Sequence, residues 1–452
     1  MHRHASLRPL AVRLLAAGSI GAAALALSAC SIDDILHVDD PDVASPGSLT
    51  GPEALPVLRG GAFSEFQVSY GGSDGAFQTE GWITLSALLG DEFENVETFT
   101  DRLDIDQRAM VLTNATLTNN YLDLHRARRA AEVAAEAYAE FDPGAPEQSE
   151  VLSLAGFTYV MFGEYFCPGV PYSRQLPSGQ SEFGQPTTTD ETLDLAIARF
   201  EEALDIAVAA EADDAANLAR VGLGRALLDK GDYAAAAAAV AGVPTDFEYL
   251  IEYSVNTPRQ GNGLYDFVYN QQRWRVTDAE SGEGLPYRSD DDPRVQWFEP
   301  DEIGFDNESE IFYQAKYDDL ADDIVLASGI EARLIEAEAA LAAGNYATAG
   351  TGTLAILNAL RAAEGIADLP AVAGADAQED QLFKERAYWL WLTGHRLGDM
   401  RRLVRQYGRD AAAVYPSGDY HKGGEAYGTQ ISFPIPQDEQ NNPNYAGCLG
   451  PG

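Results

Sequence analysis

The chain has 452 residues, 46% of them hydrophobic and 22% charged, so it can bury a large core and is too apolar for a disordered chain. Its 30 Lys and Arg face 71 Asp and Glu, a formal net charge of −41 that repels phosphate backbones and argues against a nucleic-acid partner. The same charge repels anionic lipid, so any membrane attachment has to be covalent or through an inserted segment, and three cysteines are too few for a disulfide scaffold.

The N-terminus is basic, with His2, Arg3, His4, Arg8 and Arg13, and an apolar run from Leu14 to Leu27 follows. It closes on Leu27-Ser28-Ala29-Cys30, small residues of the kind cut by signal peptidases. The run is shorter than the roughly 20 apolar residues of a spanning helix. Leu-Ser-Ala-Cys matches the bacterial lipobox, so residues 1–29 are expected to be a lipoprotein signal peptide, with Cys30 acylated and residues 30–50 a polar stalk containing Pro41 and Pro46. The expectation is a water-soluble body, 51–452, on a lipid tether. In the oxidising compartment this implies, Cys167 and Cys448 are expected to form a disulfide that ties down the C-terminal tail; two free thiols are the alternative.

Helical patterning dominates two stretches, about 119–243 and 330–408. Asn119 to Phe141 is rich in Ala, Leu, Glu and Arg and stops at Asp142-Pro143-Gly144. Glu150 to Phe166 continues apolar and aromatic. Thr189-Asp190 caps a helix whose Leu193, Ala196, Ile197, Phe200, Ala203, Leu204 and Val208 share one face. Ala215 to Val243 reads as two helices joined at Lys230-Gly231-Asp232-Tyr233. Leu223-Gly224, Leu227, Gly231, Tyr233 and Ala236 fall at tetratricopeptide-repeat spacings. Gly344-Asn345-Tyr346-Ala347 with Ala349 repeats that turn after the helix Ile330 to Ala343. Small residues let paired helices approach closely while an aromatic ring fills the groove between pairs. The predicted fold is therefore mostly α, a tetratricopeptide-like superhelix of helix pairs with long irregular insertions and minor β. The insertions are the stretches of about 55–101, 168–188 and 247–328, rich in Gly, Pro, Asp and aromatic residues, and they are the expected ligand region.

The C-terminal part carries distinctive residues. Lys384-Glu385-Arg386 leads through Trp389 and Trp391 to Gly394-His395-Arg396-Leu397-Gly398-Asp399-Met400-Arg401-Arg402. Phe433-Pro434-Ile435-Pro436-Gln437-Asp438-Glu439 and Asn442-Pro443-Asn444 follow. With Glu331 to Ala339 and the lipobox, this resembles the SusD/RagB family of nutrient-binding outer-membrane lipoproteins, as a divergent member. Tyr388 to Gly394 departs from the family pattern, its acidic middle replaced by apolar residues. Arg396 and Asp399, one helical turn apart, are expected to pair, and Glu385 to reach an arginine on a neighbouring turn. The Pro-Ile-Pro segment cannot be a central strand and should run as an extended edge along the helices.

Flat aromatic faces stack on the C–H faces of sugars, with neighbouring Asp, Asn and Arg available to hydroxyls. The candidate ligand-binding residues are accordingly Trp82, Tyr269, Arg273, Trp274 and Trp297, which lie in the insertions beside Tyr70, Phe77, Tyr287 and Phe298. The resemblance implies aromatic-lined loop sites of this kind but transfers no individual residue. It also implies a cell-surface, lipid-anchored protein that captures an oligosaccharide, peptide or other oligomeric nutrient for a SusC-like TonB-dependent barrel transporter. No nucleophile, zinc, nucleotide or dinucleotide motif occurs, so no enzyme and no cofactor is expected. Asp290-Asp291-Asp292 and Asp318 to Asp323 offer oxygen ligands for calcium but lack the Gly and closing Glu of an EF-hand loop, which favours solvated acidic loops. The alternatives are a secreted glycan hydrolase and a ligand-free envelope scaffold built on helical repeats.

Overall fold

Alanine-rich segments with strong stop signals fold as the pattern requires. The computed structural model describes residues 51–75, 79–176 and 180–450; Cys30, the signal peptide 1–29, the stalk 30–50 and Phe77 lie outside them. The helices are α1 Leu55–Gly71, α2 Trp82–Leu89, α3 Thr100–Asp106, α4 Ala115–Phe141, α5 Pro146–Tyr165 and α6 Thr189–Ala209. They continue with α7 Asp213–Asp229, α8 Tyr233–Val240, α9 Gly329–Ala342, α10 Thr353–Ala363, α11 Ala375–Trp389 and α12 Arg396–Arg405.

Helix ends follow local chemistry. The Asn114 side chain accepts from Leu117 N–H at 2.9 Å and starts α4, which stops at the Pro-Gly turn where Gly144 has φ 89°. The cap of α6 is Thr188, one residue before the expected Thr189. Its hydroxyl accepts from Glu191 N–H at 3.2 Å, and the Glu191 carboxylate accepts from Thr188 N–H at 2.8 Å.

From α4 to α11 each helix packs on the next, α1 covers α4, and α12 sits against α2 and α5. The close approach rests on glycine. A Cβ on Gly156 would stand 2.7 Å from the Phe200 ring and one on Gly222 2.2 Å from it, so that ring is seated between α5 and α7 in the space two glycines leave. Ala196, Phe200 and Ala203 are buried. The second copy of the Gly-x-Tyr turn differs: Gly344 ends α9, but a tight loop through Gly352 delays α10 until Thr353.

Two insertions are irregular with short antiparallel pairs. Val170–Pro171 pairs with Pro186–Thr187, Glu248–Ile251 with Ile324–Ser328, Trp274–Val276 with Phe93–Asn95, and Trp297–Phe298 with Tyr313–Gln314. The third, 55–101, is not loop-rich as expected: it holds α1, α2 and the start of α3. Helix α2, Trp-Ile-Thr-Leu-Ser-Ala-Leu-Leu, is buried on every side, so it shows no amphipathic period, and the glycines of α1 mimic a loop.

Ion pairs join the helices in the interior. Arg386 of α11 grips Asp399 of α12 through two bonds of 2.8 and 2.9 Å. Arg402 donates to Asp399 at 2.8 Å, to Asp229 of α7 at 2.8 Å and to Glu338 of α9 at 3.1 Å. Arg225 of α7 meets Glu164 of α5 at 2.7 Å. Burial would raise the Asp399 carboxyl, but Arg386 and Arg402 override it and hold it far below the usual range. The expected Arg396–Asp399 pair is absent. Arg396 reaches back 305 positions to Asp91 instead, at 2.6 and 2.7 Å, because Arg386 and Arg402 already occupy Asp399. Glu385 receives Arg294 at 2.6 Å and Arg361 at 2.6 Å.

The proline-rich segment lies along the end of α5. Phe433 N–H donates to Tyr165 O at 2.8 Å and Phe433 O accepts from Cys167 N–H at 3.0 Å. Phe433 and Ile435 are buried. Cys167 and Cys448 are disulfide-bonded with Cα atoms 5.5 Å apart, across 281 positions of chain. Closing so long a loop restricts the unfolded chain strongly, so the Cys167→Ser/Cys448→Ser variant should lose about 3–5 kcal/mol in urea unfolding. A midpoint equal to that of the oxidised parent would refute this.

Candidate functional site

Trp82 and Trp274 are not at the surface. Trp82 stacks on Tyr165 at 5.7 Å, meets Phe166 and Phe433 edge-on at 4.9 and 5.0 Å, and donates its indole N–H to Asn120 O at 3.1 Å. Trp274 lies in the strand paired with Phe93–Asn95 and stacks on Phe267 at 5.8 Å. Both are fully buried, which corrects their assignment as ligand contacts: polar and glycine-rich flanks disguise two core residues. Tyr70 and Tyr287 are buried too.

Tyr269, Arg273 and Trp297 remain accessible, and the structure divides them. Tyr265 closes a short helical turn, Gly263–Tyr265, that continues through Asp266–Asn270. The i, i+4 spacing lays Tyr265 and Tyr269 face to face, with centroids 4.7 Å apart and planes at 19°. Tyr269 also meets Tyr313 at 4.8 Å and Phe298 at 6.0 Å. Phe298 and Tyr313 are cross-strand partners, so they share one face of the hairpin. Trp297 is on the opposite face, edge-on to Phe312 at 5.9 Å with the Arg288 guanidinium 5.6 Å above its ring.

The aromatic surface extends further. Arg273 lies 4.0 Å from the Phe305 ring and 4.6 Å from the Phe99 ring, two rings that meet each other at 5.7 Å, and its charge is met by Glu97 at 2.6 Å. Phe99, Phe298 and Phe305 are 48, 42 and 40% exposed, values unusual for phenylalanine. Glu302 links the two halves, accepting from Tyr313 Oη at 2.7 Å and from the Gln272 amide, while Phe305 N–H donates to Gln272 O at 2.9 Å. The result is a ridge running Tyr265, Tyr269, Phe298, Phe305, Arg273, Phe99, with the buried Tyr313 ring packed against Tyr269 and Phe298.

Its phenols bond internally: Tyr269 Oη donates to Gln314 O at 2.6 Å and Tyr313 Oη to Glu302. Burial and the nearby Asp318 push the Tyr269 hydroxyl up to about 12, and burial with Glu302 does the same to Tyr313. Sequence reasoning missed Tyr265, Tyr313, Phe99 and Phe305; only Tyr265 announced itself, by its spacing from Tyr269. Larger hollows lie elsewhere: a groove of about 910 Å³ walled by alanines of α8 and α9, and a cleft of about 660 Å³ between α1 and Glu248–Glu252. Neither has a comparable row of rings.

Among the described residues no group of three or more His, Cys, Asp or Glu is arranged to hold a metal ion. The acidic clusters organise loops instead. Asp322 accepts from the N–H groups of Asp318 and Asp319 at 2.6 and 2.9 Å, and Asp292 chelates Arg294 at 2.8 Å.

These positions separate core from surface, and urea unfolding should reflect it. Trp82→Ala should cost about 3–5 kcal/mol. Phe298→Ala should stay within about 0.5 kcal/mol of the parent. Similar losses in both would deny the ridge its exposure.

No family model matches the sequence and no curated protein is significantly similar to it. Solved structures do match in fold. The surface glycan-binding protein A of Bacteroides uniformis superposes with a TM-score of 0.67 at 14% identity, over 88% of this chain and 99% of that one. A SusD superfamily protein of Parabacteroides distasonis gives 0.65 at 15% identity, over 89% and 100%. A laminarin-binding SusD-like protein gives 0.65 at 15% identity, again over 89% and 100%. The helix-pair frame, its aromatic-bearing insertions and these superpositions together establish that the chain has the SusD-like fold.

Proposed function

We propose that this protein is a non-catalytic glycan-binding protein of the cell surface, anchored through acylated Cys30, that captures an oligosaccharide on the Tyr265–Phe99 ridge. The captured chain would then pass to a TonB-dependent barrel transporter of the SusC-like kind. The observation that carries the reading is the ridge itself: a row of accessible ring faces, three of them exposed phenylalanines, on a fold shared with a surface glycan-binding protein and a laminarin-binding protein. Rings this exposed cost solubility unless a ligand uses them, and sugar faces match them in width and polarity. Binding needs no bond to be broken, and the ridge requires no metal or cofactor to do it.

The ridge is tested by calorimetric titration against a panel of oligosaccharides. Tyr269→Ala and Phe298→Ala should each weaken binding about tenfold, a loss of about 1.4 kcal/mol. Trp297→Ala, on the other face, should change it little. Unaltered affinity in a Tyr269→Ala/Phe298→Ala double variant would remove the ridge as the site.

The anchor is tested by fractionation. Cys30→Ala should move the protein out of the membrane fraction, because acyl burial contributes about 0.8 kcal/mol per methylene and no helix among the described residues is long and apolar enough to cross a bilayer. Retention in membranes would overturn the lipoprotein reading.

A further inference from the structure

Among the described residues, the cations near the ridge are paired with carboxylates or face away from it. Arg273 is neutralised by Glu97 and lies against two rings. Lys422 donates to Asp306 at 2.6 Å and to Glu97 O at 2.7 Å. Arg288 lies 3.5 Å over the Phe312 ring, on the far face of the hairpin. Lys316 points inward, its ammonium donating to Trp391 O at 2.5 Å.

Carboxylates, by contrast, border the ridge at both ends. The stretch 297–314, which carries Phe298, Phe305 and Tyr313, contains six Asp or Glu and no Lys or Arg. Glu299, Asp301, Glu302, Glu308 and Glu310 are exposed. At the other end, Asn262 fastens the 318–322 loop to the turn bearing Tyr265. Its N–H donates to Leu320 O at 2.8 Å, its amide donates to Asp322 O at 2.7 Å, and its side-chain oxygen accepts from Tyr265 N–H at 3.1 Å. Asp318 and Asp319 are exposed on that loop. Burial, and after it the negative charges of Asp319, Asp266, Asp318 and Asp322, raises the Tyr265 hydroxyl, as charges close to the ring must.

We infer that the ridge is a charge filter: it admits neutral and amino-bearing glycans and turns away polyanionic ones such as uronate or sulfate oligomers. The inference rests on the glycan-binding reading and adds the chemical class of the ligand. An acidic oligomer laid on the rings brings a negative charge with each sugar, within a Debye length of carboxylates at both ends, and meets no unpaired cation on that face among the described residues. A neutral chain meets no such penalty, and a protonated amino sugar gains from Asp318, Asp319 and the tyrosine faces.

The experiment titrates the purified protein with glucose, glucosamine and galacturonate oligosaccharides of equal length at low and moderate salt. The neutral or aminated chains should bind, and the galacturonate chain should bind about tenfold more weakly or worse, with a gap that narrows as salt rises. Asp318→Asn/Asp319→Asn keeps shape and hydrogen bonding, removes 2 of the 71 carboxylates, and should itself narrow the gap. Galacturonate binding as tight as the neutral chain overturns the filter. A gap untouched by the double variant overturns its local origin, since the charge of the whole molecule would then be responsible. Binding by none of the three classes removes the glycan reading, and the filter with it, an outcome distinct from the first two.

Discussion

The ion pairs inside the helical frame hold everything else in register. Asp399 lies between Arg386 and Arg402, and Arg402 in turn binds Glu338 and Asp229, so α7, α9, α11 and α12 meet at one buried junction. Such pairs add little net stability over apolar packing. Stripping one partner, however, strands a charge in the interior at a cost of about 3–5 kcal/mol, which makes the arrangement all-or-none. Alanine-rich helices slide easily against one another, since small side chains interlock weakly; fixed charges give them a single alignment.

The same device fixes the ridge. Arg396 on α12 clamps Asp91, which also accepts from Leu285 N–H at 3.0 Å. Two residues on, Phe93–Asn95 pairs with Trp274–Val276, the strand that follows directly from Arg273. Glu385 on α11 holds Arg294, three residues before Trp297 and the start of the hairpin. The insertions are thus irregular in pattern but tethered at both ends to rigid helices. A surface held this way would give up little entropy on meeting a ligand.

How much of this the sequence disclosed depended on the range of the interaction concerned. Helix caps and stops are written within a few residues of each feature, and so were readable to within a residue, whereas the seating of Phe200 between Gly156 and Gly222 joins distant positions. Arg396 looked like a partner for Asp399 because they are three apart, yet its true partner is 305 positions away, a distance no local pattern encodes. Trp82 and Trp274 were misplaced for a related reason. A tryptophan among glycines and acids reads as surface, while its burial is decided by Tyr165, Phe433 and Phe267, which arrive from other parts of the chain. Tyr269 survived as a candidate because its neighbour Tyr265 is local, whereas Phe99 and Phe305 join the ridge only through folding.

The chemistry available on the ridge follows from what the frame has spent. Arginines are the strongest binders of charged ligands, and here those within reach are consumed as structural ties: Arg273 to Glu97, Arg275 to Glu94, Arg294 to Glu385. What remains exposed is ring faces, amides and carboxylates. Those groups suit a ligand rich in hydroxyls and C–H faces, recognised by stacking and neutral hydrogen bonds. The excess of acid over base is thus disposed in two ways: in the interior, paired charges fix the alignment of the helices, and outside, unpaired carboxylates would face any chain laid on the ridge.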